Sequence, residues 1–330
     1  MKKVKFFLIG LMVAQFAFYS CDKKDDEPQG INPPSPAAWE ALKESALEDF
    51  IQRSTIDINL NSIQFESEKG VILSIATGCL QFEDGSPIDQ NGQLELEYIE
   101  IFDRSTMLLA NKPTMGHNGD GNKKLLETGG AFYVSVTQGG KKVVSGCTAF
   151  IYLSVPAALT TDVADPPMTL WNGVIDDNGD LTWEENNRTD LDIQGGVGLE
   201  GDMYYATFEN FGWTNIDRFF DFEGETTVIR VAPPTGFDYK NSAIYVSIDG
   251  EGENLLAQLD TFKDGYFSEH YGYLPVGLNI HLIFVSENNG QWLYAIKGIK
   301  IEKDKTYSFT NEDLKTGTKA QLTAAIKAIQ

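Results

Sequence analysis

Cysteine and histidine are scarce in this chain, and each shortage excludes a class of protein. Three cysteines among 330 residues exclude a disulfide-dense mini-protein and a cysteine-rich zinc module. The histidines His117, His270 and His281 are scattered and form no H-E-x-x-H motif, so we expect surface or packing roles for each. A G-x-S-x-G nucleophile, a Walker phosphate loop and a catalytic-cysteine pattern are also missing from the sequence.

Basic residues are few relative to acidic ones. Lys and Arg total 26 against 48 Asp and Glu, which gives a net charge of −22. A chain that repels phosphate groups cannot bind nucleic acid through a general electrostatic attraction, and its charge does not draw it to an anionic bilayer. Since 42% of the residues are hydrophobic, the chain still has ample material for a core. We therefore expect an acidic globular protein without a nucleic-acid partner.

Long apolar runs are absent except for a short one near the start of the sequence. Lys2, Lys3 and Lys5 precede an apolar stretch at 6–18, which is shorter than the ~20 residues that a bilayer crossing needs. A basic start followed by such a stretch is typical of a cleaved signal peptide, here residues 1–20. Its removal leaves 23 basic against 48 acidic residues, a net charge of −25.

Cys21 indicates which kind of signal peptide this is. The segment 18–21, Phe-Tyr-Ser-Cys, resembles the relaxed cleavage site of Bacteroidota lipoproteins, although Phe18 and Ser20 replace the usual Leu and Ala or Gly. The resemblance implies acyl chains on Cys21 and a membrane contact through this lipid anchor. An ordinary secretory signal followed by an unrelated cysteine is the alternative.

The polar segment that follows predicts the location of the protein. Lys24, Asp25 and Asp26 resemble the charged signal that exports Bacteroidota lipoproteins to the outer face of the outer membrane; a solvated acidic linker is the alternative. Residues 21–35 are polar and contain several prolines, so we expect a tether that does not fold alone. The predicted location is the outer membrane, with the protein lipid-anchored and exposed at the cell surface.

Two helices are predicted, one near each end of the mature chain. Ser35 provides an N-cap and Pro36 the first helical position, and the apolar spacing that follows predicts an amphipathic helix over 36–54. Thr318 and Gln321 form a capping-box pair ahead of a second apolar stripe, which predicts a short C-terminal helix over 318–330.

Alternating apolar residues and turn signals fill the rest of the chain and predict a mainly β fold. We expect two antiparallel β-sandwich-like domains, 55–155 and 171–330, joined by a proline-containing linker at 156–170. The sequence has no βαβ rhythm, so a parallel sheet is not expected. After Tyr98 the apolar phase slips, which indicates either a β-bulge or a strand buried on both faces. Four dipeptides are expected to supply the positive-φ residues of tight hairpins: Asn91-Gly92, Gly139-Gly140, Asn178-Gly179 and Asn289-Gly290.

Cys79 and Cys147 are candidates for a disulfide. Thiols in an exported protein are commonly oxidised, and both cysteines lie beside predicted strands. A bridge between them would stabilise the fold by roughly 4 kcal/mol in the chain-entropy model. Two buried free thiols are the alternative.

A weak calcium site is predicted around the alternating oxygen donors Asp176, Asn178 and Asp180. The remainder of the loop does not fit an EF-hand, because Leu181 stands where glycine is needed and Asn187 where a bidentate glutamate is needed. A hairpin turn is therefore the favoured interpretation. We expect no other cofactor or metal.

Three motifs resemble signatures in a group of largely uncharacterised Bacteroidota surface lipoproteins with two β-rich domains. These motifs are the block at 102–114 continuing to 125–130, the block at 211–220, and the later Leu274-Pro275-Val276-Gly277. The resemblance covers most of 55–300 and implies a surface location and a β architecture. It implies no particular activity.

The block at 211–220 contains the best candidate for a binding site. Trp213, Asn215, Asp217 and Arg218 combine a stacking surface with hydrogen-bond donors and acceptors, which is the chemistry of sugar or peptide binding. The alternative is a structural corner in which Trp213 packs inward and Arg218 pairs with Asp217 or caps a strand end. The exposure of Trp213 distinguishes the two interpretations.

These observations predict a non-enzymatic, outer-membrane-anchored lipoprotein that binds or scaffolds a protein or glycan at the cell surface. One alternative is a pilus or assembly subunit resembling Bacteroidota fimbrillins, which requires a removable or donatable strand; the helix predicted at 318–330 argues against one there. Another is a glycan-binding or glycan-acting protein, the latter requiring two carboxylates that face each other across a cleft. Nothing in the sequence selects such a pair from its 48 acidic residues.

Overall fold

The chain folds into a mainly β structure, as predicted. The computed structural model describes residues 31–58, 62–117, 119, 122–147, 150–160, 168–176, 179–186, 196–222, 224–250, 254–269 and 272–329. In these residues it contains three α-helices and 25 β-strands.

The helices are α1 (Pro36–Glu48), α2 (Arg104–Leu109) and α3 (Lys319–Lys327). Both predicted helix starts are confirmed: the Ser35 hydroxyl accepts a hydrogen bond from the backbone N–H of Ala38, and Thr318 forms a reciprocal capping box with Gln321. The predicted end of the first helix at 54 is wrong. α1 stops at Glu48 because the next residues form a strand that pairs in a sheet.

The first fourteen strands span the chain up to the block at 211–220. In order they are β1 (Gln52–Asp57), β2 (Ser62–Glu66), β3 (Ile72–Ala76), β4 (Leu80–Phe82), β5 (Gln93–Ile101), β6 (Met115–His117), β7 (Lys123–Gln138), β8 (Lys141–Ser145), β9 (Ile151–Pro156), β10 (Thr169–Ile175), β11 (Leu181–Glu185), β12 (Val197–Glu200), β13 (Met203–Phe208) and β14 (Gly212–Phe219).

The remaining strands are shorter on average, apart from the long hairpin β22–β23. In order they are β15 (Thr226–Thr227), β16 (Arg230–Ala232), β17 (Ser242–Ile248), β18 (Ala257–Gln258), β19 (Thr261–Lys263), β20 (Tyr266–Ser268), β21 (Leu274–Pro275), β22 (Asn279–Asn288), β23 (Gln291–Lys300), β24 (Thr306–Ser308) and β25 (Lys315–Gly317).

The largest sheet has nine strands, in the order β1-β5-β7-β14-β10-β11-β6, with β8 beside β7 and β4 beside β8. The short strand β6 pairs in parallel with β11 and antiparallel with β7. Strands β7, β14, β10, β11 and β6 therefore form a closed ring. The other sheets are β12-β13-β9-β3-β2, β18-β17-β22-β23-β25, β19-β20-β16-β24 and the pair β15-β21.

Two hydrophobic cores lie on opposite sides of the large sheet. In the first core, Leu96 and Phe132 from the large sheet pack with Leu73, Leu153 and Tyr204 from the sheet that contains β3, β9 and β13. All five side chains are almost completely buried. This face-to-face arrangement is a β-sandwich.

The second core joins the large sheet to the three helices and to the sheet built around β17 and β22. Its members include Trp39 of α1, Leu108 of α2, Leu322 of α3, Trp171 of β10 and Val285 of β22. The core thus gathers residues from nearly the whole length of the chain.

Strand β5 contributes to both cores. Tyr98 belongs to the first core and its neighbour Ile99 to the second. The register with β7 runs without a shift from Glu95 to Ile101. Of the two explanations for the slipped apolar phase after Tyr98, burial on both faces is therefore correct.

The predicted boundary at 156–170 does not separate two domains. Across it, β9 pairs with β13 and β7 pairs with β14, so strands from both sides complete the same sheets. Residues 32–330 form one compact unit. The physical reason is that each core contains apolar side chains from both predicted domains. Neither predicted domain could bury the apolar faces of its strands without the other.

Local turn chemistry agrees with three of the four predicted hairpin signals. Gly139 and Gly140 connect β7 to β8 with φ values of 58° and 74°, and Asn289 and Gly290 connect β22 to β23 with φ values of 52° and 78°. Gly179, between β10 and β11, has a φ of 85°. The 91–92 dipeptide differs: it leads into β5 without a positive φ, and β5 pairs with the distant β1.

Cys79 and Cys147 form a disulfide, with their Cα atoms 5.3 Å apart. The pairing of β4 with β8 brings them together, because Leu80 lies opposite Ser145. The predicted bridge is confirmed.

Candidate functional site

The four predicted binding residues lie on β14, but they do not share one ligand-facing surface. Trp213 is half-buried and packs against Tyr133 and Trp183, with ring centres 5.2 and 6.5 Å apart. The ammonium group of Lys112 lies 5.4 Å from its ring centre and covers another part of the ring. Trp213 is thus largely engaged in internal packing, as the structural alternative supposed.

Asn215 and Asp217 lie inside the fold and form a polar network with Thr128 of β7. Both are fully buried. The Asn215 amide donates to Asp217 Oδ2, and the Thr128 hydroxyl donates to Asn215 Oδ1 over 2.7 Å. The Asn254 amide donates to the backbone oxygen of Thr128 over 3.0 Å. The network therefore links β14, β7 and the segment before β18, and neither residue can contact a ligand directly.

Asp217 is the least satisfied member of this network. Its Oδ1 atom is buried and has no hydrogen-bond partner among the described residues. Burial raises the pKa of this carboxyl well above its ordinary value, and the charge of Glu127 adds to the shift, although the nearby Thr128 hydroxyl opposes it. The proton-bearing form of Asp217 is accordingly favoured inside the fold.

Arg218 is the predicted residue that reaches an open cleft. Its guanidinium donates from Nε to Glu127 Oε2 over 2.9 Å, and a second nitrogen contacts the same oxygen. Both side chains keep partial access to solvent, 34% for Arg218 and 20% for Glu127. The cleft has a volume of about 550 Å³. Its walls also include Glu185, Phe219, Asp221 and Phe222.

A bulge on β7 sets the pairing of Arg218 with Glu127. The register between β14 and β7 shifts between Ile216, which lies opposite Gly130, and Asp217, which lies opposite Thr128. Gly129 is the extra, unpaired residue at this point; in a regular register it would lie opposite Asp217, and Arg218 would then lie opposite Thr128. The glycine pair in the block at 125–130 therefore places a carboxylate beside the arginine.

A recessed apolar cavity adjoins the cleft. The two share Phe220 and Phe222 as wall residues. The cavity is also lined by Leu125, Leu274 and Pro275. It extends toward the sheet that contains β17 and β18, whose side chains form part of its wall.

Segments from all three sequence motifs meet here. Residues of the 125–130 block, the 211–220 block and the Leu274-Pro275 motif line either the cleft or the cavity. Glu127 lies in the 125–130 block, so the sequence contains a signal for it. Glu185 had no such signal, since only the pairing of β11 with β10 and of β10 with β14 brings it to the cleft, whereas Asp221 and Phe222 directly follow the 211–220 block.

The sequence matches no protein-family model and no curated protein.

The weak calcium prediction gains no support within the described residues. The backbone N–H of Asp180 donates to Asp176 Oδ1 over 3.0 Å, which is the hydrogen bonding of a turn. Asn178, the third proposed ligand, lies outside the described residues. No group of three or more His, Cys, Asp or Glu side chains in the described part of the chain could hold a metal ion.

The remaining predicted residues are placed as follows. His281 contacts Asp249 through Nδ1 at 2.6 Å and is partly buried, while His117 lies on β6. Cys21 and His270 lie outside the described residues. None of the helices that the structure describes combines the length and hydropathy that crossing a bilayer requires.

Proposed function

We propose that this chain is a non-enzymatic lipoprotein, anchored to the outer membrane through Cys21, that binds a ligand at the cell surface in the cleft around Arg218. The observation that supports the binding role most directly is that two of the three motifs line one open cleft of about 550 Å³ and the third lines the cavity that adjoins it. A concave site with a few charged groups among apolar walls is the usual form of a ligand site. Arg218 would hold the polar part of the ligand.

The proposed location rests on the sequence and agrees with the bridge between Cys79 and Cys147. Disulfides persist in oxidising compartments outside the cytoplasm, so a bridge that ties β4 to β8 suits an exported protein. The excess of acidic residues would keep the folded part away from an anionic membrane surface, while the tether at 21–35 gives it reach.

The alternatives receive less support from the described residues. A pilus subunit would need a donatable strand, and residues 319–327 form the helix α3, whose Leu322 and Ile326 are buried in the second core. A glycosidase would need two facing carboxylates, whereas Glu127 and Asp221 in the cleft contact Arg218 and Lys124.

Lipid attachment is tested by labelling cells with a fatty-acid analogue. The wild-type chain should be labelled and recovered with the outer membrane, and a Cys21→Ala variant should be neither. Shaving intact cells with a protease should degrade the wild-type protein if it faces outward. Equal labelling of both chains would refute the anchor at Cys21.

Binding is tested with arrays of glycans and of short synthetic peptides, followed by affinity measurement on the purified mature protein. Arg218→Gln should weaken the binding of any hit by at least about tenfold, since it removes a charged donor from the cleft. Arg53→Gln is the matched control, because Arg53 is also a partly exposed arginine paired with a glutamate, Glu97, on a sheet surface. Equal affinity of both variants and the wild type would contradict the assignment of the cleft.

A further inference from the structure

The apolar cavity beside the cleft has the form of a subsite for one side chain. Its volume is about 90 Å³. Ile248, Ala257 and Leu259, which line it, are each no more than 3% exposed, so this part of the wall is set by the core itself. On the cleft side the wall is formed by Phe220 and Phe222, and Phe222 is 41% exposed. A group that enters from the cleft would leave water and contact carbon atoms.

The charged residues near the cavity mostly have partners within the fold. Lys123 contacts Asp260 at 2.9 Å, and Lys124 contacts Asp221 at 3.1 Å. The Lys124 ammonium also lies 5.5 Å from the ring centre of Phe219. These pairs place charges of both signs at the cavity wall. The buried Glu269 is a further polar wall residue, and its Oε2 accepts a hydrogen bond from the backbone N–H of Gly272 over 3.0 Å. Ile248, Ala257 and Leu259 form an apolar part of the wall.

Three ligand classes can be compared with this arrangement. A sugar would satisfy the charged cleft, but its hydroxyl groups would lose hydrogen bonds in the apolar cavity, at about 1 to 3 kcal/mol for each unpaired group. An acyl chain would fill the cavity, but its hydrocarbon part could form no hydrogen bond with the charged side chains of the cleft. A peptide offers both parts, since backbone N–H groups can donate to carboxylates, carbonyl groups can accept from arginine, and an apolar side chain can fill the cavity.

We propose that the ligand of the Arg218 cleft is a peptide segment that inserts one large apolar side chain, of leucine or phenylalanine size, into this cavity. The inference rests on the binding function proposed above and names its ligand class. The cavity is smaller than the roughly 150 Å³ apolar cavity that accepts benzene, so a leucine side chain would fill it and a phenylalanine ring would extend from it into the cleft. Phe222 forms the shared wall between the two subsites.

The first experiment uses an array of short synthetic peptides together with glycan and fatty-acid arrays. The mature wild-type protein should bind peptides that contain a large apolar residue. For the tightest peptide, replacing that residue by alanine should weaken binding by about 10- to 100-fold, the loss expected when one large side chain is no longer buried. Binding confined to glycans or to fatty acids would overturn the proposal.

The second experiment fills the cavity from inside the protein. Ala257→Leu should weaken the binding of the apolar peptide by a similar factor and leave the binding of the alanine-substituted peptide almost unchanged. The effects of the protein substitution and of the peptide substitution on affinity should therefore not be additive. Should Ala257→Leu fail to fold, Phe222→Ala provides a surface variant that removes the shared wall and should also weaken the peptide. Tyr152→Ala is the matched control, since Tyr152 is an aromatic residue that is 47% exposed on a different sheet.

The two proposals fail in distinguishable ways. If Arg218→Gln weakens binding while Ala257→Leu and Phe222→Ala do not, the cleft is a binding site and the cavity is not part of it. If none of these variants changes the affinity, the cleft itself is not the site and both proposals are wrong.

Discussion

The ammonium group of Lys112 lies 5.4 Å from the ring centre of Trp213, and this contact joins two motifs that are 101 residues apart in the sequence. Lys112 is only 7% exposed, and among the described residues it forms no ion pair with a carboxylate. Burial lowers the pKa of Lys112 to about 8, and the nearby charge of Lys43 adds to this effect. Asp180 acts in the opposite direction but does not restore the ordinary value.

Replacing Lys112 with methionine should stabilise the protein at pH 7. The lowered pKa means that the folded state holds this proton less firmly than the unfolded state, so the charge destabilises the fold below pH 8 and the penalty disappears as the pH rises toward 10.5. The difference in pKa corresponds to about 3 kcal/mol, from which the loss of the cation–π contact subtracts about 1 kcal/mol. Urea unfolding of Lys112→Met should therefore show a gain of about 2 kcal/mol at pH 7, and the gain should shrink above pH 8.

Lys142→Met is the control for this experiment. Lys142 lies on β8 and forms an ion pair with Glu83 at 2.8 Å, in which the two side chains are 61% and 59% exposed. Its replacement should change the unfolding free energy by less than about 1 kcal/mol. A Lys112→Met variant that is less stable than the wild type at pH 7 would show that the contact with Trp213 outweighs the cost of burying the charge.

A second prediction concerns the buried carboxyl of Asp217. Its raised pKa means that the folded state holds the proton more firmly than the unfolded state, so the contribution of this group to stability is greatest at low pH and falls as the pH rises above the unfolded pKa. Asp217→Asn keeps the shape and the contact with Asn215 but removes the ionisable carboxyl, so that folding no longer requires the uptake of a proton. We expect a gain of about 1 to 3 kcal/mol at pH 7 that vanishes near pH 4, measured by urea unfolding at several pH values. Asp221→Asn should have little effect, because that side chain is 86% exposed.

The sequence predicted the secondary structure better than the arrangement of the sheets. Helix caps at Ser35 and Thr318 and the hairpin glycines act within a few residues, so their signals can be read locally. Helix α2 is only six residues long, too short for a periodic pattern, and it owes its stability to the packing of side chains such as Leu108 in the second core. The predicted domain boundary at 156–170 was wrong for a related reason, because the pairing of distant strands has no signal in the local sequence.

The candidate site illustrates the same limit. The sequence identified Arg218 but not its partner Glu127, which is 91 residues away and reaches it only through the register of β7 with β14. It also grouped Asn215 and Asp217 with Arg218 as one surface, whereas the alternation of a strand places those two side chains inside the fold. Residue type can be read from a sequence, but the cross-strand neighbour of Arg218 depends on the bulge at Gly129.

The disulfide between Cys79 and Cys147 should contribute strongly to stability. The cysteines are 68 residues apart, and closing a loop of that length is worth about 4 kcal/mol in the chain-entropy model. The double variant Cys79→Ser, Cys147→Ser should lose about this amount in urea unfolding at pH 7. Alkylation without reductant followed by mass spectrometry should leave both cysteines of the wild type unmodified, and two added alkyl groups would contradict the bridge.

Gly130 should be the least replaceable glycine of the bulge that positions Glu127. Its φ of 136° is unfavourable for other residues, and an added Cβ would lie 2.6 Å from ring atoms of both Phe102 and Phe132. Those rings are buried in the first core and cannot move aside freely. Gly130→Ala should therefore lower the unfolding free energy by about 3 kcal/mol or more, the sum of backbone strain and overpacking.

Gly139→Ala is the control. Gly139 has a φ of 58° and open space around an added Cβ, so this variant isolates the backbone strain and should lower the unfolding free energy by about 1 kcal/mol. Equal losses of unfolding free energy in the two variants would show that the rings accommodate the methyl group. A larger loss for Gly130→Ala, accompanied by weaker ligand binding, would show that the glycine pair sets the geometry of the Arg218 cleft.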